Sequence, residues 1–600
     1  MLQDQDLLSI QEVRSKVEQA YAAWLRYLSY SQEQIDSIVE AMAAAARAHS
    51  QKLAELAVEE TGYGNARDKH IKNLLACDIL PRRMRGMKTV GVLRELPEEK
   101  IVEIGVPVGV VAAILPTTNP TSTAIYKTLI SLKAGNAVVV SPHPRARRCT
   151  CETVGVLDQA ARLAGAPDGI IQCVNTATME GTQALMRHER TSVILATGGS
   201  GMVKAAYSSG KPAFGVGPGN VPVLIDVSTD VEDAVAKVVT GKSFDYGTVC
   251  SSEQAIVAEE SLREGILAAL RAQKAFLAND AQRDALGKLL IMPNWTVNPK
   301  CVGQAPPKIA RMAGFEVPAE TSIICVEIGG VGKQHPLSAE KLSPVLSLHF
   351  VKDFGAAVDT CYALLKFGGL GHTAVIYAKD DGRVRQFALR MPAMRVLVNT
   401  PAPQGSTGIT TNVFPAMTLG CGAAAGNATS DNISPMNLIN VKRLAYAVRE
   451  AKEAFQTAAG VAGPVSDGAL DRRDGALDRR AVAAAVERYL AGRGISSASR
   501  ASNVSDIAAE VVDRFLSSRA GRRPQDGPLR DAPPSAADPS SRTETPIVEA
   551  PAQTMDFVCE ADVQAAMRDG RKIYIGPKTI VTPSARELAA PSDILVVSQG

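Results

Sequence analysis

From residue 104 onward the chain alternates short, apolar, β-branched runs with helix-length segments, and few folds accept that pattern. The runs at 108–115, 136–140, 191–195 and 221–225 are dominated by Val, Ile, Leu and Ala. A strand with one wet face alternates apolar and polar residues, whereas a strand apolar on both faces needs cover on both. Helix-length segments lie between them, for example 121–133 and 149–164. The alternation predicts an α/β fold built on a parallel sheet with helices on either side. A second α/β stretch runs from 231 to about 398, with strands expected near 254–257, 323–326 and 373–376. Ahead of both, 11–61 reads as helix, Ala-rich and free of Pro.

With 600 residues, 46% hydrophobic and 21% charged, the chain has the make-up of a globular protein with several domains. A net charge of +3 leaves no electrostatic footprint for nucleic acid. Apolar runs such as 106–116 contain Pro and Gly and are too short to span a bilayer. The N-terminus has no basic segment leading into an apolar core, so a cytoplasmic protein is expected. The ten cysteines include no C-x-x-C pair, and Cys149-x-Cys151 has no matching second pair. Neither a metal site nor a disulfide framework is expected.

Past residue 455 the texture changes. A seven-residue block at 467–473 repeats at 474–480, and two amphipathic helices are expected at 481–491 and 504–517. Val482, Val486, Tyr489 and Leu490 share one face of the first; Val504, Ile507, Val511, Val512, Phe515 and Leu516 share one face of the second. Residues 520–554 are rich in Pro, Ser, Asp and Arg. Together, 456–554 reads as a linker in a partly disordered C-terminal extension. The last stretch, 555–600, regains order: a helix near 562–567, a strand at 572–575 and a turn at Thr582-Pro583.

Four segments carry the chemistry. In Pro116-Thr117-Thr118-Asn119-Pro120 a strand end runs into a loop where Asn119 offers an amide N–H to an anionic oxygen, though Asn-Pro also serves simply as a turn. Ala196-Thr197-Gly198-Gly199-Ser200-Gly201 joins a strand to a helix, a place where backbone N–H groups meet phosphate; a tight turn is the alternative. Gly215-Val216-Gly217-Pro218-Gly219-Asn220 repeats glycine where backbone approaches something closely. In Phe244-Asp245-Tyr246-Gly247-Thr248-Val249-Cys250 a turn-forming Asp-x-Gly precedes the cysteine and a polar Ser251-Ser252-Glu253-Gln254 run follows. That is a loop setting for a partly exposed nucleophilic thiol.

The order of these blocks, over roughly residues 5 to 455, resembles the CoA-acylating branch of the aldehyde dehydrogenase superfamily. It is similar to the aldehyde dehydrogenase half of aldehyde-alcohol dehydrogenases and to acylating sulfoacetaldehyde dehydrogenases. Further blocks that match are Ser141-Pro142-His143-Pro144, Glu340-Lys341-Leu342-Ser343-Pro344 and Thr418-Leu419-Gly420-Cys421-Gly422. The resemblance implies a Rossmann-type cofactor domain over 1–225, completed by about 410–455, a catalytic domain over 226–409 and a small C-terminal unit over 555–600. It implies that Cys250 attacks the aldehyde and that Asn119, with the Cys250 backbone N–H, holds the oxyanion. NAD, with NADP as the alternative, would lie over Thr197, Gly198 and Gly199. Glu340 would bind the nicotinamide ribose, with a solvated surface carboxylate as the alternative, and His143 is a candidate for the nucleotide or CoA region, with an ordinary structural histidine as the alternative. His372 is expected to line the site as a loop residue.

One departure bears on the acyl acceptor. Hydrolytic members carry a Glu that activates water, and here that position falls on Gly215 or Val216, neither of which takes a proton. A thiol needs less help, which favours coenzyme A as cosubstrate. The expected reaction is oxidation of a short-chain aldehyde to acyl-CoA; hydrolysis to free acid and a silent scaffold acting through its tail are the alternatives. No histidine follows His372, so the fused iron-dependent alcohol dehydrogenase half of the bifunctional enzymes is not expected. The resemblance also implies a homodimer or larger homo-oligomer. The tail resembles bacterial microcompartment cargo, in which a tethered amphipathic helix docks on a shell or cargo partner.

Overall fold

The computed structural model describes residues 4–454, 555–558, 560–589 and 594–597. The expected linker at 456–554, with its amphipathic segments at 481–491 and 504–517, lies outside them. The chain divides into two compact units, Met1–Ser466 and Asp467–Gly600.

The first unit opens with two helices, Gln5–Tyr27 and Gln32–Thr61, where the sequence suggested one continuous pattern. Ser31 causes the break. Its hydroxyl accepts from the N–H of Gln34, whose side chain accepts from Ser31 N, a capping box that starts a new helix. Gly62, with φ of 68°, ends the second helix in the left-handed conformation.

Strands β1 (Gly91–Leu96) and β2 (Ile101–Pro107) form a three-stranded antiparallel sheet with a late strand, Ile439–Ala445. β3 (Val110–Ile114), β4 (Ala137–Ser141), β5 (Ile171–Cys173), β6 (Thr191–Thr197) and β7 (Ala213–Val216) then build a parallel sheet in the order β5-β4-β3-β6-β7. Every residue of β3 and β4 is buried, as their two-sided apolarity requires. Each side chain of that kind stabilises the fold by about 1.5–3 kcal/mol. The chain lays down β3, β4 and β5 outward, then returns to place β6 on the opposite side of β3. This reversal opens a crevice at the carboxyl ends of β3 and β6, where doubly wound sheets bind ligands. Ala416, Leu419, Cys421 and Leu438 come back from late in the chain to pack into the same core.

The sequence pattern groups 221–225 with these strands, but β8 (Val221–Ile225) belongs to the next sheet. β9 (Glu253–Glu259), β10 (Phe276–Ala278), β11 (Ile324–Glu327), β12 (Val345–Val351), β13 (Gly371–Tyr377) and β14 (Ala393–Val398) pair with it, all in parallel, in the order β10-β11-β12-β9-β8-β13-β14. The reason is local: residues 217–220, a Gly-Pro-Gly-Asn run, carry the backbone from one sheet to the other, and apolarity alone cannot tell which sheet a strand joins. The late strand is β15 (Ile439–Ala445).

The second unit is a small β-α-β-α-β element. β16 (Met555–Val558), β17 (Ile573–Val581) and β18 (Leu595–Val597) are parallel and adjacent in that order, connected by helices Glu560–Asp569 and Pro583–Ala589. Val558, Val563, Ala566, Ile573 and Ala585 form its core. Thr582-Pro583, read as a turn, instead starts a helix: the Thr582 hydroxyl accepts from Ala585 N at 3.3 Å, and Pro583 takes the first helical position, where no N–H is needed.

Candidate active site

Asn119 stands where the chain leaves the carboxyl end of β3 and enters the helix Pro120–Lys133. Thr197, Gly198 and Gly199 follow the carboxyl end of β6, so the two segments face each other across the strand-order reversal. Lys127, fully buried, stitches the strand ends together by donating to Ile114 O at 2.7 Å and Leu195 O at 2.8 Å. Helix Ser200–Tyr207 starts at Gly199 with no side-chain cap, and a Cβ added at Gly199 would meet nothing within 4 Å. Open space in front of uncapped N–H groups fits a dinucleotide phosphate. The Thr197 hydroxyl is 3.2 Å from that of Thr418.

Cys250 reaches the same crevice from the other sheet. Asp245 and Tyr246 have φ of 48° and 52°, and Gly247 of 72°. Three successive left-handed residues turn the chain sharply after the helix Val231–Ser243 and deliver Thr248 beside Asn119. The Asn119 Nδ2 lies 3.5 Å from Thr248 O and donates to Thr118 Oγ1 at 3.1 Å. Cys250 is half-buried. Burial pushes its thiol up to about 12, Glu340 and Cys421 add to the rise, and Arg395 opposes it. The thiol is protonated at rest.

The polar run after Cys250, read as part of a loop, is buried instead. Ser251, Ser252 and Glu253 are fully enclosed, and Glu253 already begins β9. Ser251 accepts from Ser406 Oγ at 2.6 Å, Glu253 Oε1 accepts from Ala402 N at 2.7 Å, and Gln254 Oε1 accepts from Lys341 N at 3.1 Å. These polar groups fasten the Cys250 loop to the body of the protein. Asp245, read as a turn former, is likewise buried: its carboxylate accepts from Lys69, Lys72, Thr248 Oγ1 and Asn65 N. Sequence reasoning missed Lys69 and Lys72 entirely, because two lysines on one short helix read as a solvated face.

The glycine-rich run 215–220 lies against Cys250. A Cβ at Gly219 would sit 1.9 Å from the Cys250 carbonyl oxygen and 3.3 Å from His372 Cδ2, so only glycine fits without movement. Asn220 anchors the run by donating to Ser338 O at 2.8 Å and Leu364 O at 2.9 Å. Glu340 accepts from Gly219 N at 3.3 Å, which places its carboxylate in the same site. Burial raises Glu340 to about 7, against the pull of the Gly219 N–H, Lys242 and Lys341. A Cβ at Gly215 would meet Val203 Cγ1 at 2.6 Å and Tyr207 at 3.0 Å, so that position has no room for a longer side chain.

His372, expected in a loop lining the site, is buried at the start of β13. Its Nδ1 is 3.0 Å from Thr373 Oγ1 and its Nε2 has no partner among the described residues. Burial and the nearby Arg395 lower the ring to about 3 and keep it neutral. His143 is different. It is exposed at the end of β4, where its Nδ1 accepts from Arg145 N at 3.1 Å and caps a short turn.

Comparison with known proteins agrees with this geometry. The model of the aldehyde dehydrogenase family matches residues 4–285. The succinate-semialdehyde dehydrogenase (acetylating) of Clostridium kluyveri is 36% identical over 440 residues, covering 73% of this chain and 97% of that protein. This chain belongs to the aldehyde dehydrogenase family. The crystal structure of an acetylating aldehyde dehydrogenase from Geobacillus thermoglucosidasius is 48% identical, with a TM-score of 0.74 over 75% of this chain and 99% of the other. A propionaldehyde dehydrogenase from Rhodopseudomonas palustris, solved with bound CoA and an acylated cysteine, is 29% identical with a TM-score of 0.65, over 72% and 97% of the two chains. The bifunctional aldehyde-alcohol dehydrogenase AdhE of Escherichia coli is 43% identical over 442 residues, 73% of this chain. This aldehyde dehydrogenase family chain spans about half the length of such bifunctional relatives, 50% in that case.

Proposed function

We propose that this protein is a CoA-acylating aldehyde dehydrogenase, converting a short-chain aldehyde, NAD+ and CoA to acyl-CoA, NADH and a proton. The observation that carries the reading is the meeting of Asn119 with the Cys250 loop, through Thr248 O, at the strand-order reversal, with no carboxylate at Gly215 or Val216 and no room for one at Gly215. The Cys250 thiol gives up its proton, the one released in the overall reaction, as its sulfur adds to the aldehyde carbon, and the carbonyl π pair moves to oxygen. Asn119 Nδ2 and the Cys250 N–H meet the charge that develops there, which is where fixed neutral donors help most. Thr197, Gly198 and Gly199 would hold the dinucleotide phosphates and Glu340 the nicotinamide ribose; when bound, the dinucleotide accepts the hydride and CoA accepts the acyl group from Cys250. His143 stands near the nucleotide end as a turn cap. Neutral His372, beside Gly219, lines the site without serving as its base, since burial and Arg395 hold its ring unprotonated down to about 3.

A water-using reading keeps one observation in its favour: Glu340 is a carboxylate at the site, raised by burial to about 7, where a general base would work. NADH formation with and without CoA, with the product identified by mass, separates the two. CoA-dependent NADH with acyl-CoA as product is the expected result; free acid formed without CoA overturns the acylating reading.

The sheet β1-β2-β15, with Val92 and Leu444 exposed, supports a homo-oligomer assembled through this arm. The tail's amphipathic segments support docking on a microcompartment shell or cargo protein. No described helix is long and apolar enough to cross a membrane.

A further inference from the structure

Two buried lysines share one buried carboxylate beneath the nucleophile loop. Helix Ala66–Leu74 carries Lys69 and Lys72 on one face, each 2% exposed, while Asp245 is wholly enclosed. Lys69 donates to Asp245 Oδ2 at 3.1 Å and to Thr118 O at 2.8 Å. Lys72 pairs with the same oxygen, stands 3.4 Å from Thr248 Oγ1, and donates to Asn119 Oδ1 at 2.5 Å. One ammonium already balances Asp245. A second, buried at the cost of its hydration, adds uncompensated positive charge, which stability alone does not require.

We propose that Lys72 is a positioning residue for the oxyanion site, holding the Asn119 carboxamide by its oxygen so that the amide N–H faces the Cys250 loop. The inference rests on the roles given above to Cys250 and Asn119. A carboxamide presents an acceptor at one end and donors at the other, and the two ends are nearly equal in shape. An ammonium only donates. Its contact with Oδ1 therefore decides which way Asn119 points, and Nδ2 is left toward Thr248 O and the thiol loop. Without Lys72 the amide is free to turn its oxygen toward the developing oxyanion, where it would repel rather than stabilise. The positive charge also polarises the amide and strengthens its N–H as a donor.

The groups facing Lys72 are Asp245 and Thr248 from the nucleophile segment, Asn119 from the loop after β3, Lys69 and Asp68 from its own helix, and the Phe244 ring at 6.0 Å. Burial lowers Lys72 to about 8; Asp245 opposes the shift and Lys69 adds to it. Oxyanion stabilisation therefore weakens as pH rises through that value and the ammonium loses its proton.

The test is the pre-steady-state burst of NADH from aldehyde and NAD+ in Lys72→Met, Asn119→Ala and the double variant, alongside iodoacetamide alkylation of Cys250. We expect Lys72→Met to slow the burst by about 10- to 100-fold, at or below the roughly 100- to 1,000-fold that loss of an oxyanion donor itself costs. The double variant should be no slower than Asn119→Ala alone, and alkylation should keep its wild-type rate, since the thiol itself is unmoved. A wild-type burst in Lys72→Met beside a slow one in Asn119→Ala overturns the role of Lys72 alone. Losses that multiply in the double variant overturn it too. A normal burst in Asn119→Ala instead removes the oxyanion reading, and this inference with it. The unmodified enzyme serves even if Lys72→Met does not fold: the burst rate divided by the alkylation rate at the same pH, a ratio that cancels the growth of the Cys250 thiolate, is expected to fall above pH 8, and a ratio that stays level overturns the proposal.

Discussion

Replacing Gly219 by alanine adds one methyl group at the contact between the glycine-rich run and the nucleophile loop. The new Cβ would lie 1.9 Å from the Cys250 carbonyl oxygen and 3.0 Å from its carbon, where ordinary contact begins near 3.4 Å. Gly219 is not in the left-handed region, so its backbone accepts alanine and the effect is steric alone. The two segments must part by roughly 1.5 Å, and overpacking of this kind costs about 1–3 kcal/mol. Asn220 is tied to Ser338 O and Leu364 O, which leaves the Cys250 loop as the part that gives way. Moving a reacting group by about 1 Å costs on the order of 100-fold in rate. Gly219→Ala is therefore expected to lower kcat by about 100-fold while lowering Tm only modestly, in line with that strain. Gly217→Ala is the control, because its Cβ meets nothing within 4 Å. Turnover and thermal unfolding of the two variants decide the matter. A Gly219→Ala enzyme with normal kcat and normal Tm would refute the contact and the argument built on it.

Two further outcomes follow from the buried charges. Asp245→Asn leaves Lys69 and Lys72 without a carboxylate, and breaking a fully buried pair in this way costs about 3–5 kcal/mol; denaturant unfolding measures it, and an unchanged midpoint would show that the two ammoniums are not charged together. Because Asp245 is held below the usual carboxylate range, its contribution is present at neutral pH and is lost only as pH falls through its depressed value. Glu340→Gln removes a like charge that raises the Cys250 thiol, so iodoacetamide should alkylate Cys250 faster at a fixed pH near 8 even as the KM for NAD+ rises. An unchanged alkylation rate would separate the two groups.

The strands were legible because two-sided burial leaves no position for a polar residue. The run at 108–115 contains β3, the run at 136–140 covers all but the last residue of β4, and the helices between strands begin and end within a few residues of the expected bounds. Sheet membership was not legible. β8 is as apolar as β6, yet pairs with β9 and β13 because the Gly-Pro-Gly-Asn run before it redirects the backbone. Two helix starts were missed although their caps stand in the sequence: Ser31 and Gln34 form a capping pair inside a run read as one helix, and Thr582 before Pro583 starts a helix where a turn was read.

Reacting groups and the groups that hold them differ in the same respect. A thiol nucleophile and an oxyanion donor act through their own atoms, so Cys250 and Asn119 stand in short motifs whose flanking Gly and Pro residues shape the local backbone. Lys72 acts through Asn119, 47 positions along the chain, and Asp245 acts through Lys69 and Lys72 at separations of 176 and 173. Nothing in the helix around Lys72 marks it as buried, since a lysine looks the same in sequence whether its ammonium meets water or a carboxylate. The tertiary fold alone turns that face inward. The residues that orient the chemistry are thus the ones whose roles depend on contacts across the chain, and Ser251 and Glu253 follow the same rule: polar in sequence, enclosed in the fold, and bonded to partners on other elements.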